Sequence, residues 1–232
     1  HVKTHKSADV TRLHIEHGIT RFKCATLAEA IMLAEAGARE VLLAYQPVGP
    51  AMDRLLQLAR SYRGVRLGCV TDNPGTVDAL DVLAERHGAT VSVFIDLDVG
   101  MHRTGVAEGE EADALYARIH EARWLEAGGI HAYDGHANAT DPAERAAQAT
   151  KARGLALAMR ERLAARGIPV PELVVSGTPP FPMHAEAIRG MPPELAAGIS
   201  LSPGTYGYYD WGYASLYPDL PFQAAALVMG RV

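Results

Sequence analysis

The chain has 232 residues, 48% of them hydrophobic and 21% charged, with a formal net charge of −5, the composition of an ordinary globular domain with a sizeable core. Its basic residues are dispersed rather than gathered into the positive footprint of a nucleic-acid binder, and no apolar run reaches the roughly eighteen residues a membrane span requires. Its two cysteines, Cys24 and Cys69, make no disulfide framework, so a reducing cytoplasm is the simplest setting.

Taken in order, the chain alternates short apolar runs with segments of helical spacing. The runs are Val2–His5, Phe22–Ala25, Val41–Tyr45, Val65–Val70, Val91–Leu97, Gly129–Tyr133, Leu173–Ser176 and Ile199–Leu201. Between them, helical spacing predicts helices over Ala8–His17, Leu27–Ala36, Met52–Tyr62, Val77–His87, Glu111–Arg123 and Ala143–Arg166. The punctuation agrees: Asp72-Asn73-Pro74 and Thr140-Asp141-Pro142 precede helices, and Gly37, Gly88 and Gly167 follow helix ends. Pro179–Pro193 reads as an irregular loop with at most one short helix. The chain does not open on methionine, and Phe222–Val232 reads as a further strand. The expected organisation is a barrel over residues 1–220 and the first strand of a β domain over residues 221–232.

Strands separated by helices imply parallel pairing through crossovers. Eight of them close a (β/α)8 barrel, the expected fold class, with a doubly wound open sheet as the competing architecture. In a barrel the working face is built from strand C-terminal ends. There the chain offers Lys3 and His5, Cys24 and Thr26, Gln46, Thr71 and Asp72, Asp96 to Arg103, Tyr133 to Asn138, Ser176 to Thr178, and Ser202 to Tyr206.

Lys3 lies where the first run gives way to a helix, beside His5 and Lys6. Burial and neighbouring cations lower an amine's pKa and make it a nucleophile toward a carbonyl. Ser176-Gly177-Thr178 and Pro203-Gly204-Thr205-Tyr206 combine glycine, which lets backbone N–H groups approach an anion, with hydroxyls that donate to it. Loops after the seventh and eighth strands are the usual phosphate site of this barrel. Arg103 has two readings. It pairs with Asp96 or Asp98 in a polar turn, or it holds a phenolate-like oxygen. A lysine nucleophile, a phosphate cradle and an oxygen-holding arginine together describe a pyridoxal phosphate site.

At these residues the chain resembles the fold-type III pyridoxal phosphate enzymes, the alanine racemase-like barrels, and most of all the branch of D-threonine aldolase, D-serine dehydratase and D-threo-3-hydroxyaspartate dehydratase. The likeness is carried by His1-Val2-Lys3-Thr4-His5-Lys6, by Asp98-Val99-Gly100-Met101-His102-Arg103-Thr104-Gly105, by Ala132-Tyr133-Asp134-Gly135-His136, and by the two late loops. It implies that Lys3 joins the cofactor covalently, that Arg103 contacts it and that Tyr133 lies against it. It also implies that Ser176, Gly177, Thr178, Gly204, Thr205 and Tyr206 form the phosphate loops. Ser202 stands where the racemases place an arginine against the pyridine nitrogen, which implies a modest electron sink suited to metal-assisted cleavage or elimination rather than unaided racemisation.

The resemblance further implies a divalent metal (manganese, magnesium or zinc) held by a second, mostly β domain, a D-amino acid substrate and a homodimer. No metal ligand can be assigned within the chain: His131, His136 and His184 lack ligand spacing and read as satisfied core or surface histidines, with His136 notable for its nearness to Tyr133. The activity implied is lyase chemistry on D-β-hydroxy-α-amino acids, by retro-aldol cleavage or by β-elimination. Racemisation, a non-catalytic carrier of the cofactor, and a barrel for another phosphorylated metabolite are the alternatives.

Overall fold

A computed structural model describes residues 1–231. After an opening turn, helix α1 (Ala8–Glu16) leads to β1 (Arg21–Cys24), α2 (Leu27–Ala36), β2 (Glu40–Leu43), α3 (Pro50–Ser61), β3 (Arg66–Thr71), α4 (Pro74–His87) and β4 (Val91–Asp98). A two-residue strand β5 (Val106–Ala107) pairs with the end of β4; then come α5 (Glu110–Glu121), β6 (Leu125–Ala132), α6 (Pro142–Ala165) and β7 (Glu172–Val175). Two short helices, α7 (Phe181–Arg189) and α8 (Pro193–Ala196), precede β8 (Ile199–Leu201), and α9 (Trp211–Leu216) follows it. No helix among the described residues is long and apolar enough to cross a membrane.

The strands run parallel in the order β1-β2-β3-β4-β6-β7-β8 and curl into the barrel expected from the sequence. The caps act as read. Asn73 Oδ1 accepts from the Gly75 and Thr76 N–H groups at the start of α4, Asp141 accepts from Glu144 N at the start of α6, and Gly37 and Gly88 end α2 and α4 in the left-handed conformation.

Two stretches differ from their reading. Val2–His5 is a turn, not a strand: the His5 and Lys6 N–H groups both donate to Val2 O. It still does part of a strand's work. The His1 nitrogen donates to Pro203 O and Val2 N to Lys23 O, so two residues bridge the gap between β8 and β1. Residues 222–231 also form no strand. Leu227, Val228 and Met229 are exposed, and the hydrogen bond from Ala225 N to Tyr208 O ties this stretch back; Val232, at the end of that reading, lies outside the described residues. An apolar run becomes a strand only when a neighbour supplies a ladder. The segment Pro179–Pro193 agrees with its reading: it holds one short helix, α7, and ends on the first residue of α8.

The core divides into two. The outer core lies between strands and helices and includes Leu33, Leu55, Leu80, Ile95, Ile119 and Met159. Inside the barrel, Leu42, Val70, Phe94 and Val174 form a separate apolar layer. Below this layer an ion network of Arg21 with Glu172, and Arg66 with Glu40 and Glu126, fills the strand N-terminal end. Above it, at the strand C-terminal end, lies the polar cavity described next.

Candidate active site

The cavity has a volume of about 560 Å³, within the range of small-molecule sites. Eight of the ten residues singled out from sequence line it: Lys3, Arg103, Tyr133, Gly177, Thr178, Ser202, Gly204 and Thr205. Ser176 and Tyr206 do not. Ser176 shapes its loop from behind, buried at a positive φ of 83° with its hydroxyl on Gly177 O. Tyr206 turns outward, its hydroxyl 2.8 Å from His14 Nε2 on α1.

Tyr133, just past β6, is the hub. Its ring is flanked by Lys3 Nζ at 5.9 Å, Lys23 Nζ at 5.4 Å and the Arg103 guanidinium at 4.9 Å from its centre. Gly135 makes room for it, since a Cβ there would come within 2.4 Å of the ring. Of the two readings of Arg103, the structure favours the free one. Asp98 accepts from Gly100 N, His102 N and the His102 ring, while Asp96 accepts from His131 and Thr104. Both carboxylates are engaged in building the loop, which presents Arg103 to the cavity with no carboxylate partner among the described residues.

The late loops converge on one point. Gly204 N and Thr205 N both donate to Thr178 Oγ1, at 3.1 and 2.9 Å. Two backbone N–H groups aimed at a single oxygen form an anion cradle, and the Thr178 hydroxyl sits where an anionic oxygen would. Gly177 N is engaged elsewhere, donating to Asp134 Oδ1 at 2.7 Å. Asp134 is buried and held in turn by His184 Nε2, whose Nδ1 meets Arg153. His184 is therefore a satisfied core histidine, as read, and it supports the loop. Gly204 brings the cradle to Lys3: a Cβ there would stand 3.3 Å from Lys3 Cε.

The pKa of Lys3 is lowered, first by burial of the amine and then by the charges of Arg103 and Lys6. This is the condition a nucleophilic amine needs.

Sequence reasoning missed the chain on the cavity floor. Lys23 on β1 is buried, its Nζ 2.6 Å from Ser202 Oγ and 3.2 Å from His131 Nε2, and His131 Nδ1 is 2.7 Å from Asp96 Oδ1. Asp96 and His131 are register partners on β4 and β6, which fixes their contact. His131 is buried and satisfied, as a core histidine should be, yet it also lines the cavity. Burial, then the charge of Lys3, push the Lys23 pKa down to about 7. The available signal was a lysine inside a parallel strand, where both faces are covered. His136 does not line the cavity and lies against Gly100. No cluster of three or more His, Cys, Asp or Glu side chains arranged to hold a metal occurs among the described residues.

Residues 1–192 match the protein family described as the alanine racemase N-terminal domain. The chain is 26% identical over 215 residues to a D-threonine aldolase from Arthrobacter sp., covering 91% of this chain and 55% of that protein. It is 29% identical over 203 residues to a D-threo-3-hydroxyaspartate dehydratase from Delftia sp. (strain HT23), covering 86% of this chain and 52% of that protein. Among solved structures it resembles the D-threonine aldolase from Filomicrobium marinum with a TM-score of 0.85 and 27% identity, over 98% of this chain and 60% of that one. The chain thus spans about half the length of the curated relatives it matches.

Proposed function

We propose, from the premise that the chain belongs to the alanine racemase N-terminal domain family, that it is the cofactor-holding barrel of a pyridoxal phosphate-dependent lyase acting on D-β-hydroxy-α-amino acids. The observation that carries this reading is the meeting, on one cavity, of the Lys3 amine, the unpaired Arg103 guanidinium and the cradle formed by Gly204 N and Thr205 N. The residues present fit the cofactor. The cradle suits its phosphate, the glycine at position 204 leaves space a Cβ would fill beside Lys3, and Tyr133 offers an aromatic face.

Bound pyridoxal phosphate supplies an electron sink for charge developing on the substrate carbon next to nitrogen. The protein's part is to orient and to hold protons. Lys3, its pKa lowered by burial and by Arg103, would serve as the nucleophilic amine and as a base at Nζ. Arg103, which has no carboxylate partner among the described residues, would meet the ring oxygen as a cation. Thr178, Gly204 and Thr205 would hold the phosphate, with the two backbone N–H groups that now donate to Thr178 Oγ1 free to turn to it, and Tyr133 would offer its face to the ring.

Two reactions share this arrangement. Cleavage of the Cα–Cβ bond gives glycine and an aldehyde, and it is the reading preferred here; β-elimination gives a keto acid and ammonia. Relatives of both kinds support keeping the second. We assign the β-hydroxyl to a divalent metal whose ligands lie in a β domain outside residues 1–231, and the working unit to a homodimer; both assignments rest on the likeness of the sequence motifs. Glycine and acetaldehyde formed from D-threonine, against ammonia formed from D-serine or D-threo-3-hydroxyaspartate, with and without chelator, separates the two reactions. Turnover of none of them by the cofactor- and metal-loaded protein carrying that β domain overturns the reading.

A further inference from the structure

Lys23 is the one lysine lining the cavity that the function above leaves unused. It belongs to a four-residue strand whose last three side chains are all buried, and it points into the barrel. Together with His1 and Ser202 it also lines a second cavity of about 80 Å³, so these three residues form part of the floor between that space and the mouth. A buried ammonium is costly unless it is fully engaged. Lys23 has no carboxylate in direct contact among the described residues, only the neutral acceptors His131 Nε2 and Ser202 Oγ. An ammonium has three N–H donors, and two are engaged. The third has no protein acceptor among the described residues, and it belongs to a side chain that lines the cavity.

Ser202 cannot take the same role. Its hydroxyl accepts from Lys23 and lies 3.2 Å from both Val175 O and Ser176 O, so its own proton goes to those carbonyls. In pyridoxal phosphate the ring nitrogen lies across the ring from the aldehyde carbon. If Lys3 takes the aldehyde, Arg103 the ring oxygen and the late loops the phosphate, the nitrogen is the polar ring atom left to face inward.

We infer that Lys23 is a further cofactor-facing residue, presenting its spare N–H from the cavity floor to the pyridine nitrogen. His131 and Asp96 are positioning residues behind it: the Asp96 carboxylate fixes the His131 tautomer so that Nε2 accepts from Lys23. The inference rests on the proposed cofactor. The charged and titratable groups facing Lys23 are the His1 α-amine and Lys3 on the opening turn, Asp96 on β4, Arg103 on the loop after it, His131 on β6 and Asp134 just beyond.

The test loads the wild-type protein and its Lys23→Met and Asp96→Asn variants with pyridoxal phosphate carrying ¹⁵N in the ring. The ring-nitrogen NMR shift is followed across pH, and borohydride trapping checks that the cofactor is still joined to Lys3. In the wild type the shift should respond to pH as Lys23 titrates. Lys23→Met should abolish that response, move the signal toward free pyridine and weaken cofactor binding about tenfold, the effect of losing one charge-assisted hydrogen bond. Asp96→Asn, which leaves Lys23 in place, removes a charge that raises its pKa, so the response should move to lower pH. A trapped Lys23→Met or Asp96→Asn protein whose ring-nitrogen signal follows the wild-type curve overturns the inference and leaves the proposed function standing. Wild-type protein that traps no cofactor overturns both.

Discussion

Substituting Gly204→Ala separates the chemistry of Lys3 from the stability of the fold. Gly204 has φ −123° and ψ −39°, which an L-residue can adopt, so alanine brings no left-handed strain. The added methyl would sit 3.3 Å from Lys3 Cε, 3.3 Å from His1 Cβ and 3.4 Å from His1 O, and the flexible lysine stem is the neighbour best able to yield. Loss of glycine's freedom in the unfolded chain stabilises by roughly 0.4–1 kcal/mol. Mild overpacking costs about 1 kcal/mol. The net change should stay within about 1 kcal/mol, or roughly 2–4 °C in Tm for a chain of this size. Moving the Lys3 amine by a few tenths of an ångström should slow its attachment to the cofactor about tenfold, since a displacement of about 1 Å can cost a hundredfold. The assay is the growth of the lysine-bound cofactor band at about 410–430 nm after mixing with pyridoxal phosphate, with thermal unfolding by circular dichroism as control. Gly154→Ala is the companion variant: it lies inside α6 with nothing within 4 Å, so it should stabilise by roughly 0.5–1 kcal/mol and leave attachment unchanged. A Gly204→Ala protein that folds normally and attaches cofactor at the wild-type rate would refute the placement of Lys3 over the cradle.

Asp98→Ala removes the acceptor for two loop N–H groups and the His102 ring. Arg103 then loses its support, and cofactor affinity measured by fluorescence titration should fall about tenfold or more, in line with roughly 1–3 kcal/mol for lost hydrogen bonds to a charged group. Lys23 is about 7 in the fold and 10.5 when free, so between these values the unfolded chain holds the extra proton and stability rises with pH. Unfolding midpoints should therefore climb from pH 7 toward pH 10 more steeply in the wild type than in Lys23→Met, and equal slopes would show that Lys23 is not buried as an amine. Cofactor attachment should accelerate with pH and level off below 10.5, because the Lys3 amine is depressed below that value by burial and by Arg103. An Arg103→Gln variant should move that levelling to higher pH.

Much of this site could be read from the residues because it is local in sequence. Lys3, Arg103 with its supporting Asp98, and the two glycine–threonine loops each lie within a few residues of a strand end, and strand ends in a barrel converge. Helix limits were legible for the same reason, since Asn73, Asp141, Gly37 and Gly88 act on their immediate neighbours. What could not be read depends on distant partners. Val2–His5 has strand composition but makes one rung, from Val2 N to Lys23 O, and residues 222–231 have apolar character but no ladder. Lys23 and His131 are 108 residues apart and meet only because β1 and β6 send side chains to the same interior layer. The sequence shows Ser202 only as a serine, whereas in the fold its hydroxyl is held by Lys23 and two carbonyls.

The cavity holds two lysines, and their roles can be told apart covalently. Borohydride reduction of the cofactor-loaded protein, followed by proteolysis and mass mapping, should place the pyridoxyl group on Lys3 and leave Lys23 unlabelled. A label on Lys23, or on no lysine of the barrel, would contradict the account.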